Sequence, residues 1–323
     1  MRVLFFGYHS VGSACLPVLL EFGSGATVAA LVTHEDDPDE EVWFETPGPI
    51  AREAGIEILT PSKAELGSTE FRERVRSLAP DLILSVYYRY MIPMSVLEVA
   101  PLGGVNLHGS YLPEYRGRCP VNWQVLHGAT RGGVTLHRMV EAPDAGDILA
   151  QKPVALGSRE TARSLYLKLV PAAELLFRET WPRIASGDVS GTPQDHSAAS
   201  YFGGRGPEDG RIDWSEGVAN VDRLVRAVTH PYPGAFTEWR GRRLFIWEAA
   251  PVKGAESAQV GQLELRRGKI LIHDGRGGAL RVGSIQPEGE DELSPAAFIL
   301  RYPEADGAVL GAAGPRRGGG TPG

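Results

Sequence analysis

Cysteine, long apolar runs and an excess of basic charge are missing from this chain, and each shortage excludes a class of protein. Two cysteines among 323 residues, Cys15 and Cys119, are too few for a disulfide framework or for a zinc cluster. The apolar run of residues 3–6 is too short for a signal peptide, and no stretch approaches the roughly 20 apolar residues of a membrane span. We therefore expect a reduced, cytoplasmic protein without membrane insertion.

Acidic residues outnumber basic ones, with 40 Asp and Glu against 33 Lys and Arg. Residues 206–323 carry 15 basic and 16 acidic side chains, which leaves 18 and 24 in residues 1–205. A protein that coats nucleic acid needs a basic surface, because it displaces counterions from phosphates. The sequence therefore predicts no nucleic-acid partner, although a few placed arginines can still bind a small anionic molecule.

The standard nucleotide-binding motifs are also missing from the first turn. Gly7 and Gly12 frame this turn, but His9 stands where the GxGxxG motif requires glycine, and no Gly-Lys-Ser/Thr follows. We interpret the segment as a tight turn between a strand and a helix. Binding of some ligand other than NAD to its backbone N–H groups is the alternative.

Short apolar runs alternate with helical patterns through the first half of the chain. The runs predict strands at 2–8, 27–33, 56–59, 81–86, 104–107, 133–139 and 148–154. The helical patterns fall at 11–22, 48–54, 71–78 and 159–185, the last with a possible break near Pro171. This alternation is typical of βαβ units, so we predict an α/β fold with a Rossmann-like, mostly parallel sheet.

The composition changes after residue 186, and the length of the chain exceeds the usual size of one domain. Residues 187–207 are rich in Gly, Ser and Pro, which predicts a linker between a first domain, 1–186, and a second, 208–300. The second domain combines one amphipathic helix, 218–228, with short β-like runs at 235–239, 244–249, 260–265, 270–272 and 280–285. Such spacing suggests a small sandwich or barrel. Residues 307–323 are predicted to be a disordered tail.

Three polar residues point to a candidate site. Asn106 and His108 stand one residue apart at the end of a predicted strand, so their side chains point the same way. Open α/β sheets bind their ligands at the carboxyl ends of parallel strands. Asp144, in a later turn, can reach the imidazole from the side.

These residue types suit acyl transfer to an amine. The amide of Asn106 can stabilise an oxyanion, His108 can take the proton of the attacking amine, and Asp144 can orient the imidazole. Each residue also has a simpler interpretation, since an Asn after a strand is often a turn residue, a lone His is often structural, and Asp144 can cap a turn. The three residues alone leave both interpretations open.

A longer motif decides between them. Residues 106–117 read NLHGSYLPEYRG, followed by GVTLH at 133–137 and DAGDI at 144–148. These segments resemble the formyltransferases that use 10-formyltetrahydrofolate, in which Asn-x-His precedes Ser-Leu-Leu-Pro-x-Tyr-Arg-Gly, and the resemblance extends over residues 1–286. Tyr111 departs from the usual Leu, and we expect it to alter packing rather than chemistry.

The resemblance implies a role for each matched position. Asn106 becomes the oxyanion stabiliser, His108 the general base and Asp144 the residue that orients His108. It implies 10-formyltetrahydrofolate as co-substrate, no metal, and an OB-like β-barrel as the second domain. The positions it implies as folate contacts are Tyr90, Met91, Ile92, Arg118, Val140, Glu141, Ala142, Pro143 and Asp144.

Members of this family differ in the acceptor amine that they formylate. Enzymes that act on methionyl-tRNA carry a basic loop after the second strand, whereas residues 34–49 here hold seven acidic residues and no Lys or Arg. The chain is most similar to the formyltransferase domain of the bifunctional enzymes of lipid A aminoarabinose synthesis, which formylate UDP-4-amino-4-deoxy-L-arabinose. We expect a stand-alone amino-sugar N-formyltransferase, monomeric or homodimeric. The alternative acceptors are methionyl-tRNA and a dTDP- or GDP-linked amino sugar. The alternative to an enzyme is a non-enzymatic regulator that binds folate or a nucleotide.

Overall fold

The computed structural model describes residues 1–21, 25–36, 42–256 and 258–311. It divides into two compact units. The first comprises Met1–Gln124, Ala129–Ser158 and Arg163–Gly204, and the second comprises Val125–Gly128, Arg159–Ala162 and the chain from Arg205 onward. Among the described helices, none is both long and apolar enough to span a membrane.

A seven-stranded sheet forms the centre of the first unit. In chain order the strands of this unit are β1 (Arg2–Gly7), β2 (Thr27–Val32), β3 (Ile58–Leu59), β4 (Leu82–Val86), β5 (Gly104–His108), the short β6 (Arg116–Gly117), β7 (Arg131–Arg138), β8 (Ile148–Ala155) and the short β9 (Tyr201–Phe202). The sheet order is β3-β2-β1-β4-β5-β7-β8. Strands β1 to β5 run parallel, whereas β7 and β8 are antiparallel to their neighbours. The predicted mostly parallel sheet is confirmed.

Helices cover the sheet because its strands are apolar on both faces. Their bounds are α1 (His9–Glu21), α2 (Gly48–Glu53), α3 (Thr69–Leu78), α4 (Met94–Leu97), α5 (Pro120–Leu126) and α6 (Ala162–Ala185). On one face, Leu4 and Phe6 of β1 pack in a cluster with Phe71 and Val75 of α3. Burial of such side chains is the main favourable contribution to folding.

Helix α6 is continuous through Pro171, so the break considered there does not occur. Pro171 is exposed, while Leu169, Ala173 and Phe177 around it are buried. One backbone hydrogen bond is lost at a proline. The buried residues on both sides nevertheless hold the two halves of the helix in line.

Residues 187–204 differ from the predicted linker, because they group with the first unit. Thr192 forms a bridge with Ile148, and β9 pairs in parallel with β6. Composition is a poor guide to such a segment, since backbone pairing rather than apolar side chains attaches it. We refer to residues 192–202 as the strap.

The second unit contains a five-stranded antiparallel sheet with the order β10-β11-β14-β13-β12. Its strands are β10 (Ala235–Trp239), β11 (Arg242–Lys253), β12 (Leu263–Arg266), β13 (Lys269–His273) and β14 (Gly278–Pro287), with helices α7 (Val218–Val228) and α8 (Pro295–Arg301). This architecture is consistent with the small barrel-like domain that was predicted.

The first residues of the predicted tail are attached to this sheet. Gly307 donates its backbone N–H to the Leu263 carbonyl at 2.8 Å, Val309 bridges to Gln262, and Leu310 is buried. One buried leucine and a few backbone bonds hold these residues, and a Gly-rich composition does not reveal them. Residues 312–323 lie outside the described part of the chain.

Candidate active site

Strand β5 places Asn106 and His108 on one face at its carboxyl end. The neighbouring strand β7 lies antiparallel, with Asn106 opposite His137 and His108 opposite Thr135. Because side chains alternate along a strand, all four of these residues face the same side of the sheet. The predicted juxtaposition of Asn106 and His108 is therefore present, and His137 joins them.

Asp144 reaches this pair from the loop between β7 and β8. Its Oδ2 accepts the backbone N–H of Gly117 at 2.8 Å. Its Oδ1 lies 3.5 Å from Nδ1 of His108, 3.3 Å from Nε2 of His137 and 3.4 Å from Nδ2 of Asn106. One carboxylate oxygen is thus fixed by the backbone, while the other is shared by three side chains at long distances.

His108 is held from the side opposite Asp144. Its Nε2 lies 2.8 Å from the carbonyl oxygen of Tyr115. A carbonyl can only accept, so Nε2 carries a proton, and on the neutral ring the lone pair is on Nδ1, which faces Asp144. Tyr115 has a positive φ of 60°, uncommon for a residue with a side chain. Such backbone conformations are concentrated at functional sites.

His137 was not among the predicted site residues. Its Nδ1 lies 2.8 Å from the Arg138 carbonyl and therefore carries a proton, and its Nε2 lies 3.1 Å from Nδ2 of Asn106. On the neutral ring Nε2 accepts the amide proton of Asn106, and on the charged ring it donates to Asp144. The alternation along 133–137 was the available signal, since it places His137 on the same face of its strand as Thr135.

The electrostatics of the site favour the ionised form of Asp144. Burial alone would raise the pKa of this carboxyl group, but the neighbouring His108 and His137 rings and the N–H of Gly117 outweigh that effect. The pKa of Asp144 is therefore held well below its ordinary value of 3.8. Asp144 is therefore a charged carboxylate beside His108.

The residues implied as folate contacts lie in two places, one after β4 and one around Asp144, which we call the trio together with Asn106 and His108. Tyr90, Met91 and Ile92 follow β4, the strand next to β5. Ile92 is buried and Tyr90 half-buried, while Met91 is 61% exposed. Met91 therefore presents an apolar side chain at the protein surface.

Arg118 and the loop that carries Asp144 make up the second place. Arg118 follows β6 and donates its backbone N–H to the Phe202 carbonyl at 2.9 Å. Val140, Glu141, Ala142 and Pro143 are all exposed. Contact of these residues with folate stays a prediction. Within the described ranges, His, Cys, Asp and Glu side chains form no group of three or more arranged to hold a metal ion.

The site thus combines a hydrogen-bond donor, an imidazole and a charged carboxylate at the carboxyl end of a strand in a mostly parallel α/β sheet, a set of groups that is chemically suited to acyl transfer. Family models identify the protein further. The formyl transferase model matches residues 1–179, and the model of the formyl transferase C-terminal domain matches residues 206–303. The chain belongs to the formyl transferase family.

Solved structures show the same fold at low sequence identity. HypX from Aquifex aeolicus, in complex with tetrahydrofolic acid, is 20% identical with a TM-score of 0.61, over 95% of this chain and 48% of that chain. This chain thus spans about half the length of the HypX chains it matches. The N-formyltransferase from Helicobacter canadensis, in complex with folinic acid and dTDP-3-aminofucose, is 17% identical with a TM-score of 0.65. The match covers 89% of this chain and 99% of that chain. Methionyl-tRNA formyltransferase from Clostridium thermocellum is 19% identical with a TM-score of 0.54. The match covers 77% of this chain and 92% of that chain.

Proposed function

We propose that this protein transfers the formyl group of 10-formyltetrahydrofolate to the amine of a nucleotide-linked 4-amino sugar, with UDP-4-amino-4-deoxy-L-arabinose as the first candidate. One observation carries the proposal. Asn106, His108 and His137 converge on a single oxygen of Asp144, and the second oxygen is fixed by the backbone of Gly117.

His108 acts as the general base in this proposal. Bound 10-formyltetrahydrofolate supplies the formyl carbon, to which the acceptor amine forms a C–N bond as the bond from that carbon to N10 breaks. Nδ1 of His108 takes the proton that the amine must lose, and the imidazolium returns that proton to N10. Asp144 stabilises the imidazolium in between, because its charged Oδ1 lies on the Nδ1 side of the ring.

Asn106 stabilises the carbonyl oxygen as that oxygen gains negative charge. Its Nδ2 lies 3.4 Å from Oδ1 of Asp144, at the long end of hydrogen bonding. An oxyanion can replace this weak bond with a stronger one, while the contact to His137 keeps the amide in place. Removing one such donor typically costs about 10²- to 10³-fold in kcat. We therefore expect Asn106→Ala to lose turnover by about that factor and to remain folded.

The folate would lie along the exposed residues around the trio. Met91 and Val140 are 61% and 40% exposed, and both belong to segments matched to folate contacts. Ligand sites are typically lined by apolar side chains together with a few polar groups. The folate complexes of the Aquifex and Helicobacter proteins support the choice of co-substrate.

The charge of the chain supports a small acceptor over tRNA. The formal net charge is −7, and the segment 34–49 is acidic without a basic residue. Phosphates of an acceptor stem would be repelled there. Residues 37–41 of this segment lie outside the described part of the chain.

A transfer assay tests both parts of the proposal. The protein is incubated with 10-formyltetrahydrofolate and, in separate reactions, UDP-, dTDP- and GDP-linked 4-amino sugars and methionyl-tRNA, and formylated products are quantified. We expect product with a nucleotide sugar, highest with the UDP sugar, and none with tRNA. Product with tRNA alone contradicts the acceptor, and no product in any reaction contradicts the proposed function.

A further inference from the structure

A buried glutamine in the strap contacts the loop that carries Asp144. The side-chain amide of Gln194 donates to the backbone carbonyl of Asp144 at 2.8 Å and to that of Gly146 at 2.6 Å. Its Oε1 accepts from Arg116, at 3.1 Å from Nε and 2.6 Å from Nη2. Gln194 is 6% exposed, so water does not compete with these four bonds.

Only one orientation of the Gln194 side-chain amide lets all of its neighbours form hydrogen bonds. Arg116 can only donate, so it must meet the oxygen of Gln194. The carbonyls of Asp144 and Gly146 can only accept, so they must meet the nitrogen. Every group is satisfied with Oε1 toward the arginine and Nε2 toward the loop.

Arg116 is itself a fixed anchor. Its side chain is 1% exposed, and its Nη1 lies 2.6 Å from the Tyr201 hydroxyl, while Nη2 lies 3.2 Å from Nδ1 of His196. All of these partners, including Gln194, belong to the strap. A buried guanidinium polarises the amide it binds, which strengthens the bonds on the far side of that amide.

The loop needs such support at Asp144. This residue has a positive φ of 52°, which is strained for a side-chain-bearing residue. Gly146 is also crowded, because a Cβ there would lie 2.1 Å from the Arg138 carbonyl. A backbone in this conformation persists only where its surroundings hold it.

We propose that Gln194, anchored by Arg116, is a positioning residue for Asp144: its amide holds the loop so that the carboxylate meets both His108 and the Gly117 N–H. This inference rests on the proposed function for its catalytic consequence. Its geometric content does not depend on that function.

Two substitutions separate positioning from mere structural support. Gln194→Met keeps the volume and removes all four hydrogen bonds. Gln194→Glu keeps an acceptor for Arg116 but turns an oxygen toward the two loop carbonyls. If Gln194 served only to anchor Arg116, the Gln194→Glu variant would behave like the wild type. If Gln194 positions Asp144, the Gln194→Glu variant would be impaired like Gln194→Met. Gln286→Met is the matched control, because the Gln286 amide bridges Trp247 and the Glu290 carbonyl in the second unit.

Hydrogen exchange at the Gly117 amide, measured by NMR without substrates, tests the geometry. We expect exchange at least about tenfold faster in both Gln194 variants, because the charge-assisted bond to Asp144 is lost, and no change in Gln286→Met. Unchanged exchange at Gly117 in the two Gln194 variants overturns the inference. This readout holds even if the wild-type protein transfers no formyl group, an outcome that would contradict the proposed function alone.

Steady-state kinetics of formyl transfer test the catalytic consequence of losing the Gln194 amide. Both Gln194 variants should lower kcat by about 10- to 100-fold with little change in the KM for the acceptor sugar, because the reacting groups are displaced. The KM for the folate should rise, because residues 140–144 of the same loop are proposed folate contacts. If Gln194 acts through Asp144, the double variant Gln194→Met/Asp144→Asn should be no slower than Asp144→Asn alone. Multiplied losses in the double variant, or wild-type kcat in Gln194→Glu, overturn the positioning role.

Discussion

Gly117 donates its backbone N–H to Oδ2 of Asp144 at 2.8 Å, and this bond decides which carboxylate oxygen faces His108. The remaining oxygen, Oδ1, is the one shared by His108, His137 and Asn106. A backbone contact thus orients the only carboxylate of the trio.

Asp144→Asn should lower kcat by about 10³- to 10⁴-fold, because the neutral amide no longer stabilises the His108 imidazolium. Steady-state formyl transfer measures the loss. The control is Asp274→Asn in the second unit, where the carboxylate also accepts backbone N–H groups, from Arg276 and Gly278. That variant should lose stability and keep its kcat. Equal kcat for Asp144→Asn and the wild type would contradict the role assigned to the carboxylate.

The depressed pKa of Asp144 also predicts how stability depends on pH. A carboxyl group whose folded pKa lies below its ordinary value of 3.8 stabilises the protein above that value, and the contribution is lost as the pH falls toward the folded pKa. The free energy of unfolding of the wild type should therefore exceed that of Asp144→Asn above about pH 4, and this difference should narrow as the pH falls below 3.8. Urea denaturation at several pH values measures this gap. A gap that is constant with pH would show that Asp144 does not titrate as described.

Much of this site follows from the sequence. Asn106 and His108 are separated by one residue on β5, so the alternation of side chains along a strand places both on one face. Their position at the carboxyl end of a parallel strand then locates the site. The loop position of Asp144 allows it to reach them. These features depend on local pattern, and the structure brings the three residues together as expected.

The supporting contacts do not follow from the sequence. Gln194 is 50 residues from Asp144, and it lies in a segment whose Gly, Ser and Pro content resembles a linker. Backbone donors such as Gly117 leave no mark on side-chain identity. The short strands β6 and β9 are likewise too brief for a periodic pattern, because two residues complete only one alternation.

Gly117 offers a prediction with a close control. It has a φ of 92°, and a Cβ there would lie 2.3 Å from the Phe202 carbonyl, so alanine would push β6 away from β9. Gly187 has the same φ of 92° with nothing within 4 Å of an added Cβ. We expect Gly187→Ala to cost about 1 kcal/mol for the backbone conformation alone and Gly117→Ala to cost about 3 kcal/mol.

The activities of the two glycine variants should differ as well. Gly117→Ala moves the N–H that orients Asp144, so its kcat should fall, whereas Gly187→Ala should keep the wild-type kcat. Thermal or urea unfolding and steady-state transfer measure both effects. Similar stability and similar kcat in the two variants would contradict the close approach of β9 to β6.

His108 gives the most direct test of the central claim, that this site transfers a formyl group with His108 as the base. The measurement is a single-turnover reaction of wild type and His108→Ala with 10-formyltetrahydrofolate and UDP-4-amino-4-deoxy-L-arabinose, followed by mass spectrometry of the sugar product. We predict an N-formylated sugar from the wild type and a rate lower by about 10²- to 10⁴-fold in His108→Ala, with both proteins equally folded by circular dichroism. Formylation at the wild-type rate by His108→Ala would contradict the account.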